Sequence, residues 1–149
     1  MIYKVDYSLM GWMQSVGHIS IGRNSSYQIE SFGTIYVVYD LLGRVSTIDG
    51  RECGYRGWFS PLLSIGDIPI SLEKPRWWGG ESKRLAVGNL KLGYGKWNRI
   101  ESIGNLKIGY GKFGRMTEII TAGDRDLTHL QQIALTLILI EKAGASTAD

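Results

Sequence analysis

The sequence predicts a mainly β protein, an antiparallel meander of about seven 16-residue β-hairpin repeats, curled or barrel-like, with one C-terminal α-helix. The first observation is a tandem repeat, because residues 88–103 and 104–119 match at nearly every position. The second is alternation within each copy, since Leu106, Ile108 and Tyr110 are separated by polar residues or glycine. The third is a change to helical spacing after residue 123.

The period of 16 runs back to the first residue of the chain. Earlier copies span residues 1–16, 17–32, 33–48, 49–65 and 66–87, of which the last two are degenerate. The fifth copy grows into a long loop at residues 73–83. Because each copy contributes two strands, residues 1–123 are predicted to form one repeat domain of fourteen short strands.

The turn residues support this register. Asp40 and Gly43 stand at the first and fourth positions of one turn, as in a type I turn followed by a left-handed residue that makes a bulge. The fourth position of other copies holds Gly11, Gly114 or Asn98, which tolerate positive φ. Tyr27 stands there in the second copy, so we expect a different loop at that point.

A meander of this length exposes one apolar face. Twisted open sheets rarely exceed about ten strands without curling or splitting, so we expect this one to curl around its apolar face, as a closed or nearly closed barrel. A flat single-layer sheet that pairs with a second copy is the alternative.

A C-terminal helix is predicted over residues 124–143, capped by Asp124 or Asp126 and stopped by Gly144, with a frayed tail at 144–149. Its apolar run, residues 133–140, spans roughly 12 Å, which is too short for a bilayer. The helix is apolar on nearly all sides, so it either plugs the barrel or also meets a second chain. We favour the second arrangement, with an interface formed by Ile133, Leu135, Leu139 and Ile140.

The sequence offers no catalytic constellation, so we predict a protein that is not an enzyme and carries no cofactor or metal. The two Gly-Tyr-Gly-Lys segments lead into hairpin turns, not into the helix N-terminus that a phosphate loop requires. His18 is assigned to the polar face of a strand and His129 to the first turns of the helix, with no metal-ligand partners nearby. Cys53, the only cysteine, is read as a small core residue and suits a cytoplasmic location.

Charge is concentrated in one block of the sequence. Residues 74–115 hold ten Lys or Arg against two Asp or Glu, interleaved with aromatic residues. Such a mixture suits contacts to an anionic polymer, although the same lysines would also simply solvate strands and turns. The candidate binding residues are Arg76, Trp77, Trp78, Lys83, Arg84, Lys91, Lys96, Trp97, Lys107 and Lys112.

The segment Tyr36-Val-Val-Tyr-Asp-Leu-Leu-Gly-Arg-Val45 resembles a YD repeat of the Rhs type. That resemblance implies β-hairpins that spiral into a shell around a secreted toxin or a polymer-binding surface. The overall layout is similar to short uncharacterised bacterial proteins with 16-residue hairpin repeats and a C-terminal apolar helix. This second likeness covers nearly the whole chain and implies a fold but no activity.

Two functions of different class follow from the sequence. The first is a non-catalytic structural or interaction module, a rigid β-repeat scaffold that assembles with itself or a protein partner through the helix or open sheet edges. The second is a binder of an anionic polymer, nucleic acid or polysaccharide, through residues 74–115. The cations should share one face if the second is correct.

Overall fold

A computed structural model describes residues 1–57, 61–73 and 83–146. Fourteen antiparallel strands close into one barrel in which each strand pairs with its sequence neighbours and β1 pairs with β14. The strands are β1 (Ile2–Tyr7), β2 (Met13–Val16), β3 (Ile19–Arg23), β4 (Ile29–Phe32), β5 (Ile35–Tyr39), β6 (Val45–Ile48), β7 (Arg51–Tyr55), β8 (Leu62–Ile65), β9 (Ile68–Leu72), β10 (Arg84–Val87), β11 (Leu90–Tyr94), β12 (Ile100–Ile103), β13 (Leu106–Tyr110) and β14 (Met116–Ile120). The prediction of a curled hairpin meander is confirmed, and the barrel is closed.

The register explains how the sheet closes. Val16 pairs with Ile19 across one turn, whereas Ile21, two residues further on, pairs with Phe32 of the next strand. The same two-residue step recurs at the later hairpins, for example where Leu106 pairs with Ile103 and Ile108 with Ile119. Such a stagger tilts the strands relative to the barrel axis, which is the condition for closing a sheet on itself.

The two ends of the barrel have different connections. At one end, here called the tight-turn end, two-residue turns join the strands, and five of the six begin with a glycine at φ near +60°, as in type II′ turns. At the other end, here called the bulge end, five-residue loops follow the longer strands and shift the register by one residue.

Four of the five described bulge loops keep one pattern of positive φ, whereas in the loop at residues 95–99 Trp97 also has a φ of +63° beside Asn98. Gly11, Gly43, Asn98 and Gly114 all have positive φ, as their turn position requires. Tyr27 also has a φ of +63°, and Tyr27 N donates to Asn24 O as the matching residues do elsewhere. The expectation of a different loop at Tyr27 is therefore wrong. The Tyr27 ring stacks on Trp12, 5.4 Å between centroids, and this contact offsets the backbone strain.

The helix α1 (His129–Ser146) lies inside the barrel. It starts later than predicted, because Thr128 is the cap: Gln131 N donates to Thr128 Oγ1 and Thr128 N donates to Gln131 Oε1, a reciprocal capping box. Asp126 instead accepts a hydrogen bond of 2.6 Å from Tyr3 Oη. Gly144 does not stop the helix, which continues to Ser146, and residues 147–149 of the predicted tail lie outside the described part of the chain.

Every residue of the helix from Ile133 to Leu139 is buried within the chain itself. The predicted interface between this helix and a second chain is therefore wrong. Ile133, Leu135 and Leu139 pack into the barrel core, and Ile140 is partly buried against the same core. The reason is geometric, since the closed sheet surrounds the helix and leaves no apolar face of it exposed between Ile133 and Leu139. Within the described residues, no helix is both long and apolar enough to cross a bilayer.

We predict that Gly43→Val will lower the free energy of unfolding by about 1–2 kcal/mol, the scale of left-handed strain. No atom lies within 4 Å of the position that a Cβ would occupy on Gly43, so the change reports backbone strain alone. Urea denaturation measures the loss, with Asn98→Gly as a control that should be neutral or better. An unchanged midpoint for Gly43→Val would contradict the assigned bulge-loop geometry.

The helix packing predicts that one leucine-to-alanine change will be costly and another will not. Leu139→Ala should lower the free energy of unfolding by about 2–5 kcal/mol, because Leu139 is 2 % exposed and the closed wall cannot collapse into the cavity that the change leaves. The matched control is Leu41→Ala on a bulge loop, which should change stability by less than about 0.5 kcal/mol. Leu139→Glu should prevent folding, and a folded Leu139→Glu protein of any assembly size would refute the plugged barrel.

Candidate binding rim at one end of the barrel

Inside the bulge end, tyrosine side chains form a ring. Successive tyrosines at the same repeat position donate to the carbonyl of the residue ten positions earlier, at 2.5–2.8 Å: Tyr39 to Ile29, Tyr55 to Val45, Tyr94 to Arg84 and Tyr110 to Ile100. Tyr7 completes the ring across the closure by donating to Met116 O at 2.7 Å. Each of these five bonds ties one strand to its neighbour at the mouth of the barrel.

Arg23 occupies the tyrosine position in the second repeat and makes the equivalent contact. Its Nη2 donates to Met13 O, again ten residues earlier, at 3.3 Å, and its guanidinium lies over the ring of Trp12. Burial lowers the pKa of Arg23. Five tyrosines and Arg23 therefore fill six of the seven equivalent positions with a donor that reaches the neighbouring carbonyl, and Leu72 holds the seventh.

Cations cover the tyrosine rings. Arg44 lies over Tyr55, Lys83 over Tyr94 and Arg99 over Tyr110, in each case eleven residues before the tyrosine. Arg115 lies 3.5 Å from the centroid of Tyr7 across the closure. Because an aromatic face attracts a cation, this arrangement holds positive charge around the mouth. The eleven-residue spacing is visible in the sequence, and sequence reasoning missed it.

The five described bulge loops, residues 8–12, 24–28, 40–44, 95–99 and 111–115, form what we call the rim. Large apolar side chains project from their tips: Leu9, Met10, Tyr27, Leu41, Leu42, Trp97 and Phe113. Trp97 is 81 % exposed, Phe113 is 95 % exposed, and Leu9 and Leu41 are fully exposed. These seven make up most of the exposed large hydrophobic residues of the described chain, and the others lie on the wall or at the chain start.

The rim is also strongly basic. Its five loops contain the cations Arg44, Lys96, Arg99, Lys112 and Arg115, and their only acid is Asp40. Asp40 is occupied locally, because its carboxylate accepts from Arg44 Nε at 3.0 Å and from the backbone of Leu42 and Arg44. Those hydrogen bonds hold the pKa of Asp40 below its usual value, against the opposing effect of desolvation.

The tight-turn end has the opposite character. Its six turns contain only Gly, Asp, Asn, His and Thr, and the segment 121–128 adds two aspartates and one arginine. Asp49 in one of these turns contacts His129 Nε2 at 2.6 Å, and Gln131 Nε2 donates to Asn105 Oδ1 in another. His18 is a turn residue there, not the strand residue that was predicted. This end therefore anchors the helix, and its turns are polar and carry acids, of which Asp49 and Asp67 pair with Arg51.

The predicted basic block is divided by the fold. Lys96, Trp97 and Lys112 lie on the rim, and Lys83 and Arg84 adjoin it at the start of β10. Arg84 also forms an ion pair with Glu141 near the end of the described helix side chains. Lys91 and Lys107 lie on the outer wall, exposed on β11 and β13, so the candidate cations do not all share one face. Arg76, Trp77 and Trp78 lie outside the described residues.

Chemistry of the catalytic kind has little support among the described residues. They contain no group of three His, Cys, Asp or Glu side chains placed to hold a metal ion. Cys53 is half-buried, and burial raises the pKa of its thiol to about 11, which leaves it protonated at neutral pH. A cavity of about 300 Å³ beside Cys53 is lined by Arg44, Tyr55 and Gly57 and belongs to the same end of the barrel.

Comparison of the chain with models of protein families, with curated proteins and with solved structures finds no match. The resemblance of residues 36–45 to a YD repeat therefore stays a prediction.

The tyrosine ring predicts a loss of stability at alkaline pH. Burial raises the pKa of Tyr39 and of Tyr110 to about 12, against 10.0 when unperturbed. The folded state then holds protons that the unfolded state releases, so stability is constant below pH 10 and falls as the pH rises from 10 towards 12. Urea midpoints measured across this range test the slope.

Tyr39→Phe should be less stable at neutral pH, because Ile29 O loses its donor, but should show a shallower alkaline decline. Tyr36→Phe, a change at an exposed tyrosine of the outer wall, is the matched control and should leave both properties unchanged. A wild-type midpoint that stays flat to pH 12 would contradict the assigned burial of the ring.

Proposed function

We propose that this protein is a non-catalytic interaction module, a rigid β-repeat barrel that presents its rim to a binding partner. The observation that carries the proposal is the combination of seven exposed apolar tips with five cations and one acid on the loops of one end. Turns that serve only to connect strands are normally polar, as the tight-turn end illustrates. The rim departs from that rule in loop after loop.

The energetic argument concerns what the rim leaves exposed. Burying a Leu, Met or Phe side chain contributes about 1.5–3 kcal/mol. The five most exposed tips, Leu9, Met10, Leu41, Trp97 and Phe113, gain almost none of that in the isolated chain. Replacing them by polar residues would cost the fold little, since they make few internal contacts. Large apolar groups retained at such positions are typical of a docking surface.

This proposal relocates the partner surface that the sequence suggested. Assembly through the helix has no support, because the helix side chains are enclosed by the barrel. Assembly through open sheet edges has none either, because β1 and β14 pair with each other. Self-association or binding of a protein partner would have to use the rim or the outer wall.

The scattered cations count against an anionic polymer that binds residues 74–115 as a whole, so only a footprint restricted to the rim is kept as the second candidate. The rim brings Lys96 and Lys112 together with Trp97 and Phe113, a combination of charge and aromatic surface that suits nucleic acid. Lys91 and Lys107 on the wall would not contribute to that same footprint. A cytoplasmic location is proposed on the basis of the single, unpaired Cys53.

Site-specific photo-crosslinking tests the rim without assuming a partner. A benzophenone amino acid replaces Leu41 or Phe113 on the rim, and Val38 or Leu85 on the outer wall as matched exposed controls. After illumination in the native cell, adducts should form at the rim positions and be absent or far weaker at the wall positions. Equal labelling at both sets, or none at the rim, would overturn the proposal that the rim is the binding surface.

A further inference from the structure

We propose that the rim docks onto a bilayer surface that carries anionic phospholipids, an inference that rests on the proposed function of the rim as the binding site. The apolar tips would enter the boundary between headgroups and acyl chains, and the cations would contact the phosphates. The barrel axis would then be roughly perpendicular to the membrane, with the tight-turn end facing away from it. The helix stays inside the barrel in this arrangement.

The shape of the tips favours a soft, planar partner. Leu9 and Leu41 are fully exposed and Phe113 nearly so, and each projects from a different loop of a closed ring. A protein interface packs a continuous surface to the density of a protein interior. Separate apolar projections around a circular mouth instead fit insertion into lipid, where each can be buried without matching a shaped pocket.

The residue types of the tips suit the interfacial zone of a bilayer. Leu, Met and Phe gain from contact with acyl chains, and Trp and Tyr are enriched at the level of the headgroups. Trp97 is exposed and has a φ of +63°, an uncommon conformation for a bulky residue. Four of the seven tips are aliphatic and have no π face for stacking on bases, so the set is less suited to nucleic acid.

The cations lie where headgroup phosphates would be. Lys96 and Lys112 are exposed neighbours of Trp97 and Phe113, the tip residues that follow them in the chain. Arg99 and Arg115 are set further back, with their guanidinium groups over the rings of Tyr110 and Tyr7. Because the cytoplasmic leaflet is negatively charged, this layer is complementary to it. A rim-to-rim dimer would instead bring two basic surfaces together.

Vesicle co-sedimentation tests the inference, with phosphatidylcholine vesicles prepared with and without phosphatidylserine. The wild-type protein should bind vesicles that contain phosphatidylserine about tenfold or more tightly, and this difference should shrink as salt is added. Fluorescence of the bound protein should shift to the blue, and the shift should diminish in Trp97→Phe.

Two comparisons, each between a double variant on the rim and one on the wall, locate the surface that binds the vesicles. Leu41→Ser with Leu42→Ser should weaken vesicle binding about tenfold or more, whereas Val38→Ser with Leu85→Ser on the wall should not. Lys96→Gln with Lys112→Gln should weaken binding to phosphatidylserine vesicles roughly tenfold, whereas Lys91→Gln with Lys107→Gln should have little effect. All four positions in each comparison are exposed, so circular dichroism and the melting midpoint should match the wild type.

Several results would overturn the inference. These are no binding to phosphatidylserine vesicles at low salt, or binding that the rim and wall variants weaken equally. Rim-dependent binding of a single-stranded oligonucleotide without vesicle binding would assign the rim to nucleic acid, and a rim-dependent dimer in sedimentation equilibrium would assign it to a second copy. Either outcome would leave the rim as the binding surface, which the photo-crosslinking decides separately.

Discussion

The packing of one apolar helix inside the closed sheet is the constraint on which the rest of the structure depends. Fourteen strands spaced about 4.8 Å apart enclose a space roughly 20–25 Å across, which inward-facing side chains alone would not fill. A helix with its side chains occupies about 10–12 Å of that width, and the two side-chain layers then meet. The barrel and the helix therefore need each other: the wall has no core without the helix, and the helix has no other place to bury an apolar circumference.

This constraint fixes which end of the barrel is available for binding. β14 ends at the tight-turn end, and the chain returns over that end before the helix enters, held by Tyr3, whose hydroxyl donates to Asp126 and accepts from Leu127 N. The tight turns also contact the first helical turn through Asp49 and Asn105. At the bulge end the structural contacts are the tyrosine ring and the ion pair of Arg84 with Glu141, and neither involves a loop tip. The loop tips there can therefore vary without disturbing the core, which is typical of binding loops on a rigid scaffold.

The repeat made most of the fold predictable, because period, alternation and turn residues agree on the same fourteen strands. The failures came where tertiary contacts override local preference. Tyr27 keeps the loop of its glycine counterparts because Trp12, in the previous hairpin, stacks on it. The apolar circumference of the helix suits either a plug or an interface with a second chain, and only the closed wall around it decides for the plug. The rim could have been found by comparing the two turn classes, since Leu41-Leu42 and Lys112-Phe113 recur where the tight turns have Gly-Asn or Asp-Gly.

The helix alone does not explain the difference in charge between the two ends of the barrel. A helix macrodipole places about half a positive charge at its N-terminus and half a negative charge at its C-terminus, so acids at the tight-turn end and cations at the bulge end complement it. That effect extends only about one helical turn and accounts for a charge or so at each end. The rim holds four more cations than acids, and Lys96 and Lys112 point outwards at loop tips, away from the enclosed helix. Because solvent screens charges at exposed loop tips, these extra cations contribute little to the stability of the helix terminus. Their position beside exposed Trp97 and Phe113 fits the bilayer surface that we propose as the partner, which is negatively charged on its surface and apolar beneath it.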